Sequence, residues 1–491
     1  MKTVSNSPAR ELRLAAALLA VFCGFAIAPA AWAQSFRVQC PTSTTLHPKA
    51  GKHPGAIKCQ EIAGGDGFAT MADGTQTYLF GFGPLSGIDL INQGLPGTQT
   101  AAAFNLPLYT AKGAPANANG AATEPQAIMN LGVLSAQQPA PLMAIDEDDE
   151  FFLTLSNVGM IMRPDLFEQH TVHFHGYPNA SSFFDGVPDA SVAINIAGSF
   201  TYYYTAPDAG TYFWHCHITP PEHLQMGMVG QLYVRPRQNR VTSTADAPDS
   251  ALRSALQAAN GNALNNPGAN GKTCSDILCT GQTPLPPAST VAKTYAKGTL
   301  FAYNDGDGST AYDVEYPIQL MGFDPNFHYV GMTFNPEAFA DMKDKYFMIS
   351  GRSYPDTISP AAITTLDSDG SVRTSQPIRS TITITQGQRA LLRFSELTVT
   401  EFHTIATLGI PMTVIAQNAR LLRDMAGNNL YYQTNSLTMG GGESADVILD
   451  TKLADGTLIP KGTYFLYTTN LDHLSNDAEN FGGQMTEIVV Q

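Results

Sequence analysis

The sequence predicts an all-β fold made of two tandem β-sandwich domains. Short runs alternate apolar or aromatic residues with polar ones between Gly, Pro and Asp, as in 75–83, 141–159, 199–215 and 230–236. This pattern is typical of antiparallel sandwich strands. The 43 glycines and 32 prolines also favour turn-rich β architecture over helical bundles. A chain of 491 residues is long enough for two globular domains.

An internal repeat supports the tandem arrangement. The segment HTVHFHG (170–176) aligns without gaps on HTIATLG (403–409). The segment GTYFWHCH (210–217) aligns in the same way on GTYFLYTT (462–469). Because both motifs recur in the same order, two copies of one sandwich are expected.

The domain boundaries are predicted from changes in composition. Residues 34–237 are expected to contain an N-terminal segment and the first domain, and residues 298–491 the second domain. Residues 238–297 are rich in Asn, Ala, Ser, Thr and Pro, which indicates a linker. The acidic run DEDDE (146–150) is expected to be the solvated start of a strand rather than a cation-binding patch.

The N-terminus predicts export. Residues 1–33 combine basic residues, an apolar run (14–30) and the small-x-small site Ala31-Trp32-Ala33. This is typical of a cleavable signal peptide rather than a membrane anchor, since Pro29 breaks a short apolar run. We therefore expect a periplasmic or secreted protein with no membrane span. A formal net charge of −15 argues against nucleic acid as a partner.

Cysteine spacing agrees with an oxidising compartment. Cys40 and Cys59 flank a short N-terminal segment, and Cys274 and Cys279 flank a loop in the linker. Each pair is expected to form a local disulfide. Cys216 is then the unpaired thiol, and metal ligation would explain its presence in a secreted chain.

The residues around Cys216 predict a copper site. Six of the eleven histidines lie close to it in the sequence: His170, His173, His175, His215, His217 and His223. One thiolate, two imidazoles and a distant thioether form the ligand set of a blue-copper centre. These residues therefore indicate a copper protein.

Both halves of the chain resemble cupredoxin domains of multicopper oxidases, a superfamily that includes laccases and copper nitrite reductases. The resemblance covers about 70–237 and 298–491 and implies two cupredoxin-like Greek-key sandwiches. It also implies that type 1 copper is held by His170, Cys216, His223 and Met228. Met226 is the alternative axial ligand, but Met228 has the family's spacing from the last histidine.

The same resemblance implies a second copper site beside the first. The residues that match its ligands are His173, His175, His215 and His217. In a strand, alternate residues point to the same face. His215 and His217 should therefore face one way while Cys216 faces the type 1 site. This expectation covers a type 2 or dinuclear copper site with these four histidines as the catalytic ligands.

The second half lacks most of these ligands. The alignment places five other residues at the positions of His173, His175, His215, Cys216 and His217, namely Ala406, Leu408, Tyr467, Thr468 and Thr469. Two histidines of the second half do correspond to ligands: His403 aligns with His170, and His473 lies near the position of His223. For both, the favoured interpretation is a core or surface histidine that has been retained without a metal. The remaining histidines, His47, His53 and His328, lie outside any motif.

Two functions are compatible with this pattern. The first is an oxidoreductase that takes electrons from a phenolic, metal-ion or protein donor and passes them to oxygen. The second is a non-catalytic blue-copper protein that transfers electrons or binds copper. Nitrite reduction is disfavoured, because His173 replaces the catalytic aspartate and Leu408 the catalytic histidine of those enzymes. A homotrimer is expected by analogy with two-domain members.

Overall fold

The computed structural model describes residues 36–50, 55–108, 117–177, 181–206, 208–242, 247–248, 294–295, 298–331, 337–366, 370–424 and 426–491. The predicted signal peptide, His53 and the pair Cys274 and Cys279 lie outside the described residues, as does most of the predicted linker. None of the helices in the described part of the chain is long and apolar enough to span a membrane.

Strands dominate both halves, as the sequence predicts. The first half contains β1 (Ile57–Thr70), β2 (Gln76–Pro84), β3 (Gln99–Thr100), β4 (Met143–Asp146), β5 (Glu150–Gly159), β6 (His173–Phe174), β7 (Ser199–Thr205), β8 (Gly210–His215) and β9 (Val229–Arg235). The two short strands β10 (Ala247–Pro248) and β11 (Thr294–Tyr295) pair with each other.

The second half contains β12 (Leu300–Phe301), β13 (Ala311–Tyr312), β14 (Val314–Phe323), β15 (Tyr346–Ile349), β16 (Ile363–Leu366), β17 (Val372–Gln376), β18 (Ile382–Ile384), β19 (Arg389–Glu396), β20 (His403–Leu408), β21 (Met412–Gln417), β22 (Arg420–Leu421), β23 (Tyr432–Thr434), β24 (Ser436–Met439), β25 (Ser444–Asp450), β26 (Gly462–Thr468) and β27 (Met485–Val490).

Helices are short and connect the strands. The α-helices are Ile88–Asn92, Ala101–Phe104, Pro125–Gly132, Pro220–Gln225, Gln238–Thr242 and Pro325–Gly331. Single 3₁₀ turns lie at Ser182–Phe184, Phe339–Asp341, Asp356–Ile358 and Leu471–His473. The helix Pro220–Gln225 begins with two prolines, which suit the first turn of a helix because their missing N–H groups have no intrahelical role there.

The two halves repeat one strand arrangement. In the first, one sheet has the order β2-β1-β5-β7 and the facing sheet β4-β9-β8-β6. In the second, the corresponding strands are β15-β14-β19-β25 in one sheet, which continues into β21, β22 and β23, and β18-β27-β26-β20 in the other, which continues into β24. The parallel pairs also correspond, since β1 pairs with β5 as β14 pairs with β19, and β4 pairs with β9 as β18 pairs with β27. The chain is therefore an all-β protein with two tandem sandwiches.

Strand register supports the gapless alignment of the motifs. On β6 and β8, His173 lies opposite His215. On β20 and β26, Ala406 lies opposite Tyr467. These are the pairs that the sequence alignment makes equivalent, so the two halves keep the same register where they differ in chemistry.

The two sandwich cores differ in composition. Aromatic side chains are prominent in the first core, among them Phe151, Tyr202 and Trp214. Cys216 and Met228 belong to the same core. The second core is mainly aliphatic. Large aromatic rings bury much area and pack in specific geometries. The first core therefore surrounds Cys216 and Met228 with tightly packed side chains.

A buried polar seam joins β8 of the first sandwich to the second. Thr211 donates a hydrogen bond of 2.6 Å to Asp446, which also accepts one of 2.5 Å from the Tyr303 hydroxyl. The Arg393 guanidinium, which is 0 % exposed, lies 2.9 Å from Glu315 and 3.6 Å from Asp446. The histidine-bearing strand is thereby held against the second half of the chain.

The acidic run at 146–150 corrects one expectation. Glu147, Asp149 and Glu150 are buried rather than solvated. Glu147 accepts hydrogen bonds from the backbone N–H of Arg237 and from Asn304. The prediction of a solvated strand start was wrong, because the run ties neighbouring segments together through buried hydrogen bonds.

The predicted disulfide between Cys40 and Cys59 is present.

We expect Arg393→Met to destabilise the protein by about 3–5 kcal/mol, because Asp446 would remain buried without its cation. The matched control is Arg389→Met. Its ion pair with Asp450 is partly exposed, so a loss of no more than about 1 kcal/mol is expected. Denaturant unfolding of both variants measures the difference, and equal losses would show that the buried seam does not stabilise the fold.

Candidate metal centre

His170, Cys216 and His223 converge in the core of the first sandwich. One potential ligand atom from each lies within 4.8 Å of the other two, and all three residues are buried. The Nδ1 atom of His223 is 3.3 Å from the Cys216 sulfur, and the rings of His170 and His223 are 5.4 Å apart. The structure thus brings together three of the four predicted type 1 ligands.

The charges around the thiol favour the ligating form of Cys216. Burial raises the pKa of this thiol, but the positive charge of His223 and the proximity of His170 outweigh burial and hold it well below its usual value. Burial lowers the pKa of His170. A thiolate beside a neutral imidazole is the form in which these residues bind a metal.

Unsatisfied nitrogen atoms indicate that this pocket fits a metal ion. Both ring nitrogens of His170 are buried without a hydrogen-bond partner among the described residues. Buried polar groups are normally hydrogen-bonded, so each such atom calls for an explanation. A thiolate with two imidazoles is a donor set that suits copper, and a bound ion would satisfy one of the two ring nitrogens of His170.

The axial position stays a prediction. Met226 and Met228 are both fully buried in the same core as Cys216. The backbone N–H of Cys216 donates to the Met228 carbonyl at 3.1 Å, and the N–H of Met228 donates to the His223 carbonyl at 2.8 Å. Met228 is therefore tied by its backbone to two of the predicted ligands.

The four other histidines of the two copper motifs lie together in a second cluster. One ring nitrogen from each of His173, His175 and His215 lies within 4.8 Å of the other two, and the ring of His217 lies beside those of His173 and His215. The ring of His173 lies 5.5 Å from that of His215 and 4.8 Å from that of His217. The rings of His175 and His215 are 4.9 Å apart. Since Cys216 belongs to the other site, consecutive residues of this segment serve two different clusters, as strand alternation predicts.

Backbone carbonyls orient three of these rings. The Nδ1 atoms of His173, His175 and His215 lie 2.7, 3.3 and 2.6 Å from the carbonyl oxygens of Asp185, Gly442 and Cys216, respectively. A carbonyl oxygen only accepts, so each Nδ1 donates and each Nε2 keeps a lone pair. Metal-binding histidines are commonly oriented in this way.

The lone pairs converge. The Nε2 atoms of His175 and His215 are 3.0 Å apart. With both Nδ1 atoms protonated, no hydrogen lies between them, so a cation is needed to offset their repulsion. Burial lowers the pKa of His175 to about 4 and that of His215 well below its usual value. Neutral imidazoles at neutral pH suit metal binding, and this cluster therefore fits a metal ion as well.

Gly442 brings the second half of the chain to the cluster. Its φ angle is +90°, and a Cβ atom at this position would lie 2.7 Å from Cε1 and Nδ1 of His175. Only glycine avoids both the positive-φ strain and this clash. The second half thus supplies a backbone acceptor where a complete cluster would take histidines.

The positions of the second half that lack a copper ligand differ in their surroundings from the histidine cluster. Leu408, the equivalent of His175, is 67 % exposed. His403 and His473 are both buried, with ring centroids 5.1 Å apart. His47 is paired with Glu150 at 2.5 Å, and His328 contacts the backbone carbonyls of Tyr78 and Gln225, so neither completes the cluster.

Sequence reasoning missed the residues that support the ligands. Glu168 lies 3.6 Å from Nε2 of His223, while the carbonyls of Asp185 and Gly442 orient two histidines of the cluster. Backbone acceptors leave no side-chain signal in a sequence. Glu168 could have been found, because Glu401 precedes His403 at the same spacing in the second half.

Comparisons with known proteins agree with this geometry. Residues 121–239 match the family model described as multicopper oxidase. A multicopper oxidase from Talaromyces pinophilus is 32 % identical over 108 residues, which cover 22 % of this chain and 16 % of the relative. A laccase from Aspergillus fumigatus is 31 % identical over 109 residues, covering 22 % and 17 %. The matched region thus spans about a sixth of the length of these curated relatives.

Solved structures share the fold over most of the chain. A blue copper oxidase from Nitrosomonas europaea superposes with a TM-score of 0.50 at 18 % identity, covering 88 % of this chain and 85 % of that one. A multicopper oxidase called mgLAC gives a TM-score of 0.50 at 16 % identity, covering 88 % and 86 %. Residues 121–239 are thus similar in sequence to multicopper oxidases, and the two sandwiches share the cupredoxin-like fold of these solved structures.

We expect Met228→Leu to change the visible absorption of the copper-loaded protein, because an axial thioether tunes a blue-copper centre. The control is Met226→Leu, an equally buried methionine of the same segment. Absorption and paramagnetic resonance spectra distinguish the two. A shifted spectrum in Met226→Leu alone would reassign the axial ligand.

We expect Gly442→Ala to lower the amount of copper bound outside the type 1 site, because the new methyl group would displace the His175 ring. Gly387→Ala is the matched control. Gly387 has a φ of +91°, but a Cβ atom at this position would meet its nearest neighbour only at 4.0 Å. This variant therefore shares the backbone strain of about 1 kcal/mol without the clash. Copper content per chain is the measurement, and equal content in both variants would contradict a role for Gly442.

Proposed function

We propose that this protein is an exported copper-dependent oxidoreductase of the multicopper oxidase type. It takes electrons from a reducing donor at the Cys216 site and passes them to the neighbouring histidine cluster, with oxygen as the acceptor. The observation that carries this proposal is the position of Cys216, whose sulfur belongs to one cluster while the neighbouring His215 belongs to the other, and the ring of His217 lies 5.0 Å from that of His215.

The residues divide between the two sites. His170, Cys216 and His223 would hold type 1 copper, with Met228 as the axial ligand. A type 2 or dinuclear copper site would be held by His173, His175, His215 and His217. Copper supplies one-electron redox chemistry when it is bound at these positions.

A short route through the chain connects the two sites. The backbone of Cys216 leads directly to His215 and His217. In addition, Nδ1 of His215 donates a hydrogen bond of 2.6 Å to the Cys216 carbonyl. The ring of His215 is therefore joined to Cys216 by a hydrogen bond as well as by covalent bonds, which supports electron transfer between the clusters.

Access to the two clusters differs. A cavity of about 370 Å³ is lined by His175, Pro220 and Pro221 from the first half and by the segments 398–402 and 441–442 from the second. It provides an approach for a small acceptor to the histidine cluster. At the other site, His223 is buried, and the partly exposed carboxylate of Glu168 lies between it and solvent. Glu168 is thus a candidate contact for the donor.

One observation favours a second candidate, a non-catalytic blue-copper protein that transfers electrons or binds copper. At His175 the second half contributes the carbonyl of Gly442 rather than a histidine. Reduction of oxygen to water in the family uses a cluster with ligands from two domains. In the alternative, the four histidines would bind copper without turning over oxygen.

Export, the donor and the assembly stay predictions. The donor can be a phenol, a metal ion or a protein, and a homotrimer is expected by analogy. Leu408 and Phe465 lie opposite each other on β20 and β26 and are 67 % and 39 % exposed. An exposed apolar pair on this sheet is consistent with a subunit interface there.

We expect Cys216→Ser to abolish the intense visible band of the copper-loaded protein, because the thiolate is removed. His175→Ala should keep that band but lose the second copper and the copper-dependent uptake of oxygen. Leu408→Ala, at the equivalent position of the second half, is the control for the metal sites and should keep the visible band and the copper content of the wild type.

Oxygen consumption is measured with phenols, Mn(II), Fe(II) and Cu(I) as donors, alongside copper content. Oxygen uptake that depends on both Cys216 and His175 supports the oxidase. A blue protein without copper-dependent oxygen uptake with any of these donors would favour the non-catalytic alternative.

A further inference from the structure

We propose that the second half of the chain contains a metal site of its own, for a divalent first-row transition metal ion. Its ligands are Asp344, Glu401 and His403, and His473 lies beside Glu401. One potential ligand atom from each of the first three lies within 4.8 Å of the others. This site does not depend on the proposed oxidase activity.

The site lies where the repeat places the counterpart of the type 1 pocket. His403 begins β20 at the position equivalent to His170, and His473 follows β26 as His223 follows β8. The surroundings correspond too. Glu401 lies 3.1 Å from Nε2 of His473, as Glu168 lies 3.6 Å from Nε2 of His223.

An aromatic ring packs against the histidine in each half. Phe347 on β15 stacks on His473 at 3.8 Å between ring centroids. Phe80 on β2 packs edge-on against His223 at 5.3 Å. β15 and β2 occupy the same place in the two sheets. The pocket of the second half is therefore lined in the same way as the type 1 pocket, although it has no cysteine.

Unsatisfied nitrogen atoms indicate that a ligand is needed. Nε2 of His403 and Nδ1 of His473 are buried and have no hydrogen-bond partner among the described residues. His403 is 0 % exposed and His473 is 2 % exposed. Leaving a buried imidazole nitrogen unpaired costs free energy, which a cation bound at Nε2 of His403 would offset.

The potential ligands of this site are harder donors than those of the type 1 site. Thr468 stands at the position equivalent to Cys216, and carboxylates have taken the place of the thiolate. Imidazole with carboxylate suits Zn(II), Mn(II) and Fe(II) rather than a blue-copper centre. The predicted loss of type 1 copper in the second half is therefore compatible with metal binding of another kind.

Each carboxylate keeps capacity for a ligand. Asp344 accepts hydrogen bonds from Gln225 at 2.8 Å, from Thr398 at 3.0 Å and from the hydroxyl of Thr400. An ionised carboxylate has about four lone-pair positions, so these bonds orient Asp344 without exhausting it. Glu401 has 38 % of its side chain exposed and is free to adjust.

A cavity leads to the site. Its volume is about 570 Å³, and Asp344, Glu401 and His473 line it. Lys343 and Lys345 are the basic residues of its lining, against Asp344, Glu401, Asp472, Asp477 and Glu479. The excess of negative charge attracts cations to the opening.

The test uses copper-loaded protein incubated with Zn(II) and then separated from free metal, with zinc and copper measured in the same sample. We expect one zinc per chain in addition to the full copper content. Glu401→Gln should weaken zinc binding by at least about tenfold, since a charged ligand is lost. His403→Gln should weaken it as well.

Glu479→Gln is the matched control, because Glu479 lines the same cavity without belonging to the cluster, and it should bind zinc as the wild type does. Zinc that appears only as copper is lost would overturn the proposal, since it would report displacement from the first half. Equal zinc affinity in Glu401→Gln and the wild type would also overturn it. Oxygen uptake does not enter this assay, so failure of the oxidase proposal leaves its outcome unchanged.

Discussion

The pairing of β6 with β8 is the interaction on which both candidate metal clusters depend. It sets His173 opposite His215, and strand alternation then separates the Cys216 sulfur from the rings on either side of it. Neither cluster could form if the register slipped by one residue, because every side chain of β8 would then face the other way. The aromatic core around Trp214 and the buried seam at Arg393 hold this strand in place from both sides.

The second half shows what the same scaffold does with different side chains. Its strands keep the order, direction and register of the first half, yet Ala406 and Tyr467 occupy the positions of His173 and His215. The scaffold therefore does not require the metal ligands for its strand pairing. Within the described residues, the second half contacts the histidine cluster through the backbone carbonyl of Gly442. Asp344 in turn accepts a hydrogen bond from Gln225, two residues after His223, so the predicted site of each half is contacted by the other.

Sequence patterns were sufficient for the fold class, the repeat and the grouping of histidines around Cys216. These succeeded because strand alternation and motif spacing are local properties of the chain. The interpretation of 146–150 failed because acidic residues alone do not reveal buried partners such as Asn304, which is distant in sequence. The carbonyls of Asp185 and Gly442 were missed for a related reason, since every residue has a carbonyl and only the fold selects which ones face a histidine.

The sequence by itself determined the kind of donor atoms available: one thiolate, the imidazoles of the two motifs and the buried methionines. It also determined that the second half has no equivalent of Cys216. Only the tertiary structure decided which ring nitrogen of His173 and His215 can bind a metal. The choice depends on which backbone carbonyl accepts a hydrogen bond from the other nitrogen of the same ring. The tertiary structure likewise decided that His403 and His473 share a pocket with Asp344 and Glu401, since residues from separate strands and loops are brought together by packing alone.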